Sequence, residues 1–364
     1  MKPFPGRTYT FFLVREYLRA LIVCILFIMS LSYIVRALQK VDSKKGYTAV
    51  QTVVLYAYDA PEILLREALL PSCMFASVFT MSNLTKNREV LALRSCAVSV
   101  YRIITPLILV GCAVAAFSFF AEDYLLIGSY TAKDDYLARL KGQGKKKYVL
   151  DRKNVVVFGE NNTIFKIDAY LNDAQEMRGV VIIRKNKEGA VSGLARAEKA
   201  VWDGKRWVLE RGINYTFDAK GALAERRGFS RMATELREDP KYFGRDTRRV
   251  EQMRLREGRE YIAMTRKMGL NYKGMLARYH KRMAQSATLL FITVIGLALG
   301  SMAFKNAFVV SFSITLGFVL FFFFLNEIGY TFGASGAVPP ALGGWLGNIV
   351  FFFVSVYLLS RLRV

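Results

Sequence analysis

Long apolar segments alternate with polar ones along this chain. Several of the six apolar segments run for roughly 20 residues with almost no charge, the length that an α-helix needs to cross a bilayer core. A helix in a soluble core seldom stays apolar on every side for that distance. The pattern therefore predicts an integral membrane protein. The segments are Phe11–Ile34, Val53–Met81, Ile103–Phe120, Ala284–Phe304, Ala307–Ile328 and Val338–Leu359.

The second segment departs from this simple pattern. Its cleanly apolar part, Ala68–Met81, is short for a membrane crossing. Because charge inside hydrocarbon is costly, we expect its charged part to lie at the outer interface or to face a cavity between helices. The interrupting residues are Asp59, Pro61, Glu62, Arg66, Glu67 and Pro71.

The long stretch between the third and fourth segments has a β pattern. Short runs rich in Val, Ile, Phe, Tyr and Trp alternate with turn signals, and Asp203-Gly204 marks a hairpin. Such strands in series favour an antiparallel sandwich or jelly roll, and from about Thr247 to Met283 the pattern becomes helical. The predicted strands are Val155–Phe158, Thr163–Tyr170, Gly179–Arg184, Leu194–Trp202, Arg206–Phe217 and Leu223–Arg231. The other turn signals are Gly159–Asn162, Asn186–Gly189 and Asp218–Gly221.

Basic residues in the short loops predict the orientation. With six spans, most of them fall on one side, which the positive-inside rule makes cytoplasmic. Both chain ends are then cytoplasmic, and the β-rich segment lies outside the cytoplasm. That segment is itself basic, but long domains cross membranes largely regardless of charge. The cytoplasmic residues are Lys2, Arg7, Arg15, Arg19, Lys86, Arg88, Arg94, Arg102, Lys305, Arg361 and Arg363.

The net charge of +23 over 364 residues would suggest nucleic-acid binding in a soluble protein. No nucleic-acid motif is recognisable, and for a membrane protein anionic lipid headgroups are the better partner. The four cysteines lie in or between the apolar segments, so the sequence predicts neither a disulfide framework nor a CxxC metal pair in the β-rich domain. They are Cys24, Cys73, Cys96 and Cys112.

Catalytic chemistry finds little support. The single histidine, His280, cannot form a multi-histidine metal site, and we interpret it as an interfacial polar residue. The run Gly142-Gln-Gly-Lys145 lacks the spacing and hydroxyl of a phosphate-binding P-loop. We therefore predict no catalytic or metal residue and no cofactor in this chain. If the protein drives uphill transport, ATP and Mg²⁺ are bound by another subunit.

The segment Ser82–Ser99 between the second and third spans carries the most information. Asn87 is positioned to cap a short helix over Arg88–Ala97, with Glu89 in its first turn. One interpretation is an amphipathic interfacial helix. The alternative is a coupling helix, about residues 85–98, that docks into a groove on an ATPase. The candidate coupling residues are Arg88, Glu89, Leu93 and Arg94.

A basic cluster follows the first span and comprises Arg36, Lys40, Lys44 and Lys45. These residues are either interfacial anchors or a clamp for phosphate or carboxylate on a lipid headgroup. Arg36 is the strongest candidate for the clamp, because it lies nearest the apolar span, where charge is otherwise costly.

Three segments resemble the LptF/LptG (YjgP/YjgQ) permeases of the lipopolysaccharide exporter, and the resemblance covers nearly the whole chain. They read NREVLALRSCAVS after span two, ARYHKRMAQS at the start of span four and VPPALGGWLGN before span six. The resemblance implies six transmembrane helices, three on each side of an inserted periplasmic antiparallel β-jellyroll. The implied divisions are residues 1–121 with the coupling helix, 122–265 for the periplasmic domain and its helical linker, and 266–364.

The resemblance also implies partners. These are a cytoplasmic ABC ATPase dimer, a sister permease, a periplasmic jellyroll bridge protein similar to LptC or LptA, and lipopolysaccharide taken from the bacterial inner membrane. Glu89 matches the acidic residue of the family's coupling helix, and Arg36 matches a basic residue that approaches the lipid phosphates. The chain departs from the family pattern in two places: Cys96-Ala97 stands where a small residue and Gly are usual, and Gly347 stands where Pro usually precedes Asn.

Two other classes of protein remain as alternatives. A membrane-anchored sensor or scaffold would use the β domain to bind a periplasmic ligand and would need no ATPase. A membrane enzyme acting on lipid is disfavoured by the lack of a catalytic cluster in the sequence. Co-purification of a stoichiometric ATP-binding subunit distinguishes a permease from both.

Overall fold

The computed structural model of the protein describes residues 6–41, 48–142, 149–158, 162–186, 189–218, 221–234, 239–240, 243–246, 248–267, 269–302 and 306–362. The chain forms two compact units. A helical unit comprises Met1–Gly142 and Lys273–Val364, and a β-rich unit comprises Gln143–Tyr272. Among the described residues, six helical stretches are long and apolar enough to cross a membrane, which confirms the predicted spans. They are Thr8–Leu38, Val50–Lys86, Val100–Leu140, Lys273–Gly300, Ala307–Ser335 and Pro340–Arg361.

The helical unit is built from long helices joined by short connections. Its helices are α1 (Arg7–Val41), α2 (Ala49–Glu62), α3 (Leu69–Lys86), α4 (Glu89–Ser95), α5 (Val100–Ala121), α6 (Ile127–Leu140), α8 (Lys273–Gly300), α9 (Ala307–Ser335) and α10 (Pro340–Arg361). Its core lies among α3, α5 and α8, where large apolar side chains such as Met74, Ile104 and Ile292 are fully buried.

Span two is one continuous helical stretch in which α2 and α3 are joined by a π-helical turn, Ile63–Ala68. Pro61 lacks the N–H that a regular helix uses, and a wider turn follows it. In that turn the Leu69 N–H donates to the Leu64 carbonyl five residues back. Of the two expectations for its charged half, the structure supports a position facing a cavity. A second π-helical turn, Glu122–Leu126, joins α5 to α6 in span three.

Small residues bring three of the spans close to their neighbours. A Cβ added to Gly296 or Gly300 of α8 would come within 3 Å of atoms of α3. One added to Gly329 of α9 would lie 2.4 Å from the carbonyl oxygen of Gly343 in α10. Pairs of glycines four residues apart allow backbone contact where lipid provides no hydrophobic driving force between helices. These glycines therefore fix the packing of α8 against α3 and of α9 against α10.

The β-rich unit is an antiparallel sheet in which neighbouring strands are consecutive in the chain. Its strands are β2 (Arg152–Phe158), β3 (Thr163–Leu171), β4 (Glu176–Lys185), β5 (Val191–Trp202), β6 (Trp207–Phe217) and β7 (Leu223–Ala233). A two-stranded sheet pairs β1 (Val149–Leu150) with β8 (Arg245–Asp246), and α7 (Leu255–Lys267) follows. This arrangement confirms a helical membrane protein with an inserted antiparallel β domain.

One face of the sheet carries the core of this unit. Phe165, Tyr170 and Trp207 are buried there against Phe243, whose ring lies 5.1 Å from that of Phe165. The predicted hairpin at Asp203-Gly204 is confirmed: Trp202 pairs with Trp207 across it. Arg206, which the sequence placed in the following strand, belongs to the turn, because its N–H donates to the Asp203 carboxylate at 2.8 Å.

Candidate functional site

A cluster of charged side chains lies at the C-terminal end of α1. The Arg36 guanidinium forms ion pairs with three carboxylates of span two. Its nitrogen–oxygen distances are 3.8 Å to Asp59 and 3.6 Å to Glu62, and it donates a hydrogen bond to Glu67. The side chain of Arg36 is 22% exposed, so these pairs are partly shielded from water. The charged interruption of span two is thus explained by a partner on span one.

Asp59 lies between two cations. Its carboxylate is 3% exposed and also pairs with Lys133 of α6. Breaking a buried ion pair by removing one partner costs about 3–5 kcal/mol, because the remaining charge is left unpaired. Asp59 therefore holds Arg36 and Lys133 on the same side of span two.

A cavity of about 500 Å³ opens beside this cluster. One wall is formed by α1, and the facing wall carries charge of both signs. The lining residues are Leu31, Ser32, Val35, Arg36, Asp59, Glu67 and Lys133. A space lined by apolar residues of α1 on one side and by charges of both signs on the other suits an amphiphile with a charged headgroup.

A second ion network ties spans two, three and four together. Glu122 of the π-helical turn after α5 lies 3.5 Å from Arg66 and 3.2 Å from Arg282, and Arg282 lies 3.2 Å from Asp123. Glu122 and Arg282 are 6% and 5% exposed. The network joins two π-helical turns, which occur frequently at functional sites in helices.

The connection between spans two and three folds as the short helix α4. Val90 is buried and Leu93 packs against the core, whereas Arg88, Leu91 and Arg94 are exposed and Glu89 is half-exposed. The predicted capping role of Asn87 is wrong. Asn87 ends α3, and Arg88 precedes α4 in a left-handed conformation with φ of 61°.

The C-terminus of α4 forms a Schellman motif. The Val98 N–H donates to the Leu93 carbonyl at 3.1 Å, and the Ala97 N–H donates to the Arg94 carbonyl at 2.9 Å. Ala97 has φ of 60°, the left-handed conformation that usually selects glycine at this position. A defined backbone turn therefore ends α4.

Comparison with known families decides the identity of the chain. The model of the lipopolysaccharide export system permease LptF/LptG matches residues 12–361. The chain belongs to the LptF/LptG family. A search of curated proteins finds no match. As a family member, it is a multi-pass inner-membrane permease of lipopolysaccharide export.

Two departures from the LptF/LptG pattern acquire a structural meaning. Ala97 keeps the left-handed turn that the usual glycine would adopt, so the backbone shape survives the change. At Gly347, a Cβ would lie 2.8 Å from the Asn326 side-chain oxygen, so the absence of a side chain allows α10 to approach α9. The following Asn348 is buried and bonds to α8, accepting from the Thr288 hydroxyl at 2.6 Å.

The structure brings together only part of the predicted lipid cluster. Arg36 lines the cavity, whereas the side chain of Lys40 and all of Lys44 and Lys45 lie outside the described residues. His280 is half-buried, and its Cβ is 2.7 Å from the place where a Cβ on Gly344 would lie. This contact supports a packing role. Within the described part of the chain, no group of three His, Cys, Asp or Glu side chains could hold a metal ion.

Sequence reasoning missed Lys133 as a member of the site and did not pair Asp59, Glu62 and Glu67 with Arg36. A signal was present, because an ionisable residue inside an apolar helix usually has a partner. Its identity could not be inferred, since Arg36 and Lys133 lie 23 and 74 positions from Asp59 in the chain.

Proposed function

We propose that this chain is one of two permease subunits that extract lipopolysaccharide, or a similar anionic glycolipid, from the inner membrane. The match to the LptF/LptG family over residues 12–361 carries this proposal. A cytoplasmic ABC ATPase dimer binds ATP and Mg²⁺ and drives the cycle. A periplasmic jellyroll bridge protein, similar to LptC or LptA, accepts the lipid.

The exposure of the spans supports pairing with a sister permease. Within the described residues, only 6% of the most apolar window of span one is buried, and 22% of that of span five. Apolar faces of this extent suit contact with lipid or with another membrane subunit. A lipid entering between two such subunits would meet span one, on which Arg36 lies.

The charged cluster supports an anionic headgroup as cargo. Arg36 points its guanidinium at the cavity, and guanidinium groups match the geometry of phosphate oxygens. Lys40, Lys44 and Lys45 follow in the sequence and add positive charge to this part of the chain. The headgroup phosphates bind this cluster while the acyl chains remain beside the apolar wall of α1.

Helix α4 supports coupling to the ATPase. Arg88 and Arg94 are exposed and Glu89 is half-exposed, so these charged side chains form its accessible face, whereas Val90 is buried. With both termini cytoplasmic, this face meets the ATPase, and Leu93 fixes the helix to the transmembrane core. The β domain then lies in the periplasm. There its outer strand β7, exposed along its length, offers an edge for pairing with the bridge protein.

Co-purification tests the proposal. The tagged full-length chain, extracted in mild detergent, should bring down one sister permease and two copies of an ATP-binding subunit. The complex should hydrolyse ATP faster when lipopolysaccharide is added. A membrane-anchored sensor or scaffold, the alternative, would purify without a stoichiometric ATP-binding protein, and that result would overturn the proposal.

A further inference from the structure

Arg36 faces the cavity with its charge already neutralised. Among the described contacts, its guanidinium pairs with Asp59, Glu62 and Glu67, and Asp59 also pairs with Lys133. A guanidinium has a fixed fork of donors, and a donor bonded to Glu67 cannot bond to another anion at the same time. Asp59 and Glu62, at 3.8 Å and 3.6 Å, lie beyond hydrogen-bond distance. A phosphate that binds Arg36 through the nitrogen bonded to Glu67 must therefore displace the Glu67 carboxylate.

The three carboxylates differ in how readily they can leave. Asp59 is 3% exposed and is shared with Lys133, so its departure would strand two cations and one buried anion. Glu62 is 26% exposed and does not line the cavity. Glu67 is 39% exposed and lines the cavity, so its carboxylate can rotate into water at small cost.

We propose that Glu67 is an exchangeable counter-ion of Arg36 that the headgroup phosphate of the lipid displaces. This inference rests on the proposed function, because it takes Arg36 as a phosphate ligand. Asp59 acts as a positioning residue that keeps Arg36 and Lys133 directed at the cavity during the exchange.

The exchange gives the site selectivity. A phosphate carries more charge and more acceptor oxygens than a carboxylate, so it gains more from Arg36 than Glu67 loses. A headgroup with weaker acceptors does not repay the displacement of Glu67, and is rejected by competition rather than by size. In the absence of lipid, Glu67 also keeps Arg36 from lying uncompensated beside the apolar wall.

Photocrosslinking of the whole complex tests the exchange. A benzoylphenylalanine replaces Leu31, which lines the cavity and is 51% exposed. The probes are rough-type lipopolysaccharide and the same preparation after phosphatase treatment. Because exposed ion pairs contribute little, Glu67→Gln should lower the half-saturating concentration of phosphorylated lipid by about threefold to fivefold. Crosslinking to the treated lipid should not change.

A matched control is available on α1, the helix that carries Arg36. Glu16 pairs with Arg19 and is also 39% exposed, but it does not line the cavity. Glu16→Gln should leave the half-saturating concentration unchanged. In an Arg36→Gln background, Glu67→Gln should have no effect, because the competing ligand has lost its partner.

The outcomes separate this inference from the proposed function. If Arg36→Gln weakens crosslinking but Glu67→Gln does not strengthen it, Arg36 binds phosphate without exchange and the inference is wrong. If Glu67→Gln strengthens crosslinking equally in the Arg36→Gln background, the gain is a general charge effect and the inference is again wrong. If Arg36→Gln leaves crosslinking unchanged, the lipid role of Arg36 fails as well.

Discussion

Ala97 occupies a backbone conformation that its side chain disfavours. It is the left-handed residue of the Schellman motif that ends α4, with φ of 60°. An L-residue in this conformation costs roughly 1–2 kcal/mol, and glycine loses roughly 0.4–1 kcal/mol more backbone entropy on folding. Ala97→Gly should therefore stabilise this turn by about 0.5–1 kcal/mol. Amide hydrogen exchange at residues 97 and 98, whose N–H groups make the two bonds of the motif, should slow accordingly in the purified chain.

The same change five residues earlier provides the control for Ala97→Gly. Ala92 is exposed and lies inside α4, where glycine is less favourable than alanine by about 1 kcal/mol. Ala92→Gly should speed exchange in α4. If both variants speed exchange, the left-handed conformation of Ala97 does not significantly destabilise the turn.

Glu176 is a charged residue whose environment predicts a pH effect in the β domain. It accepts hydrogen bonds from Arg178 at 2.9 Å and pairs with Lys199 at 3.0 Å, which hold the pKa of its carboxyl below the usual value of 4.5. The stabilisation is therefore present above pH 4.5 and is lost as pH falls through the lowered pKa. Glu176→Gln should destabilise β4 and β5 by about 0.5–1 kcal/mol near neutral pH and by less in acid.

Opening free energies from amide exchange, measured on the full chain between pH 7 and pH 3, check the prediction for Glu176. Glu198→Gln is the matched variant, because Glu198 lies 3.1 Å from Arg211 but is 66% exposed. It should change stability by under about 0.5 kcal/mol at every pH. If the opening free energies of wild type and Glu176→Gln differ by the same amount at every pH, the stabilisation does not come from the ionised Glu176 carboxylate.

At the scale of elements, α4 carries the prediction for coupling. Glu89 opens the helix, where its negative charge is favourable to the dipole. If this face docks on the ATPase, Glu89→Lys reverses its charge and should reduce lipid-stimulated ATP hydrolysis at least tenfold, about 1.4 kcal/mol of coupling. The assay compares ATP hydrolysis in the purified complex with and without lipopolysaccharide.

Asn87→Lys serves as the control for Glu89→Lys. Asn87 is exposed and lies two residues before Glu89, at the end of α3. The substitution Asn87→Lys therefore adds positive charge without changing α4 itself. It should retain most of the coupling. Normal subunit association and normal transport in Glu89→Lys would show that α4 is an interfacial helix, the other interpretation of this segment.

The elements also show what sequence patterns can and cannot predict. All six strands of the larger sheet were located, because alternation and turn signals are local; for example, the end of β2 at Phe158 and the start of β3 at Thr163 agree with the prediction. The two-residue strands β1 and β8 were not predicted. The strand β4 begins at Glu176 rather than Gly179, because its first residues pair with β3 and β5 despite their polar composition.

Features that depend on distant partners were not predicted. Span two continues through its charged half because Asp59 and Glu67 pair with cations on α1 and α6. A hydropathy pattern does not reveal these pairings, because the partners are distant in the sequence. Gly329 and Gly333 of α9 are four residues apart, a spacing that is visible in the sequence. That Gly329 packs against Gly343 of α10 is visible only in the structure.

For the whole molecule, the central expectation is that the β domain and the α4 segment lie on opposite sides of the membrane. An odd number of spans separates them, because span three alone lies between α4 and the β domain in the chain. The chain itself provides reporters for both sides. Cys96 is exposed just after α4, and Lys205 is exposed in the hairpin between β5 and β6.

A membrane-impermeant maleimide should therefore distinguish the two sides within one molecule. In cells with a permeabilised outer membrane, Lys205→Cys should be labelled, whereas Cys96 should react only after the inner membrane is lysed. Cys73 is buried, and Cys112 lies within an apolar span that a charged reagent does not enter. Neither should be labelled. A Cys96→Ser variant confirms which signal belongs to which site. Labelling of Cys96 before lysis, or of Lys205→Cys only after it, would reverse the orientation and remove α4 from reach of a cytoplasmic ATPase.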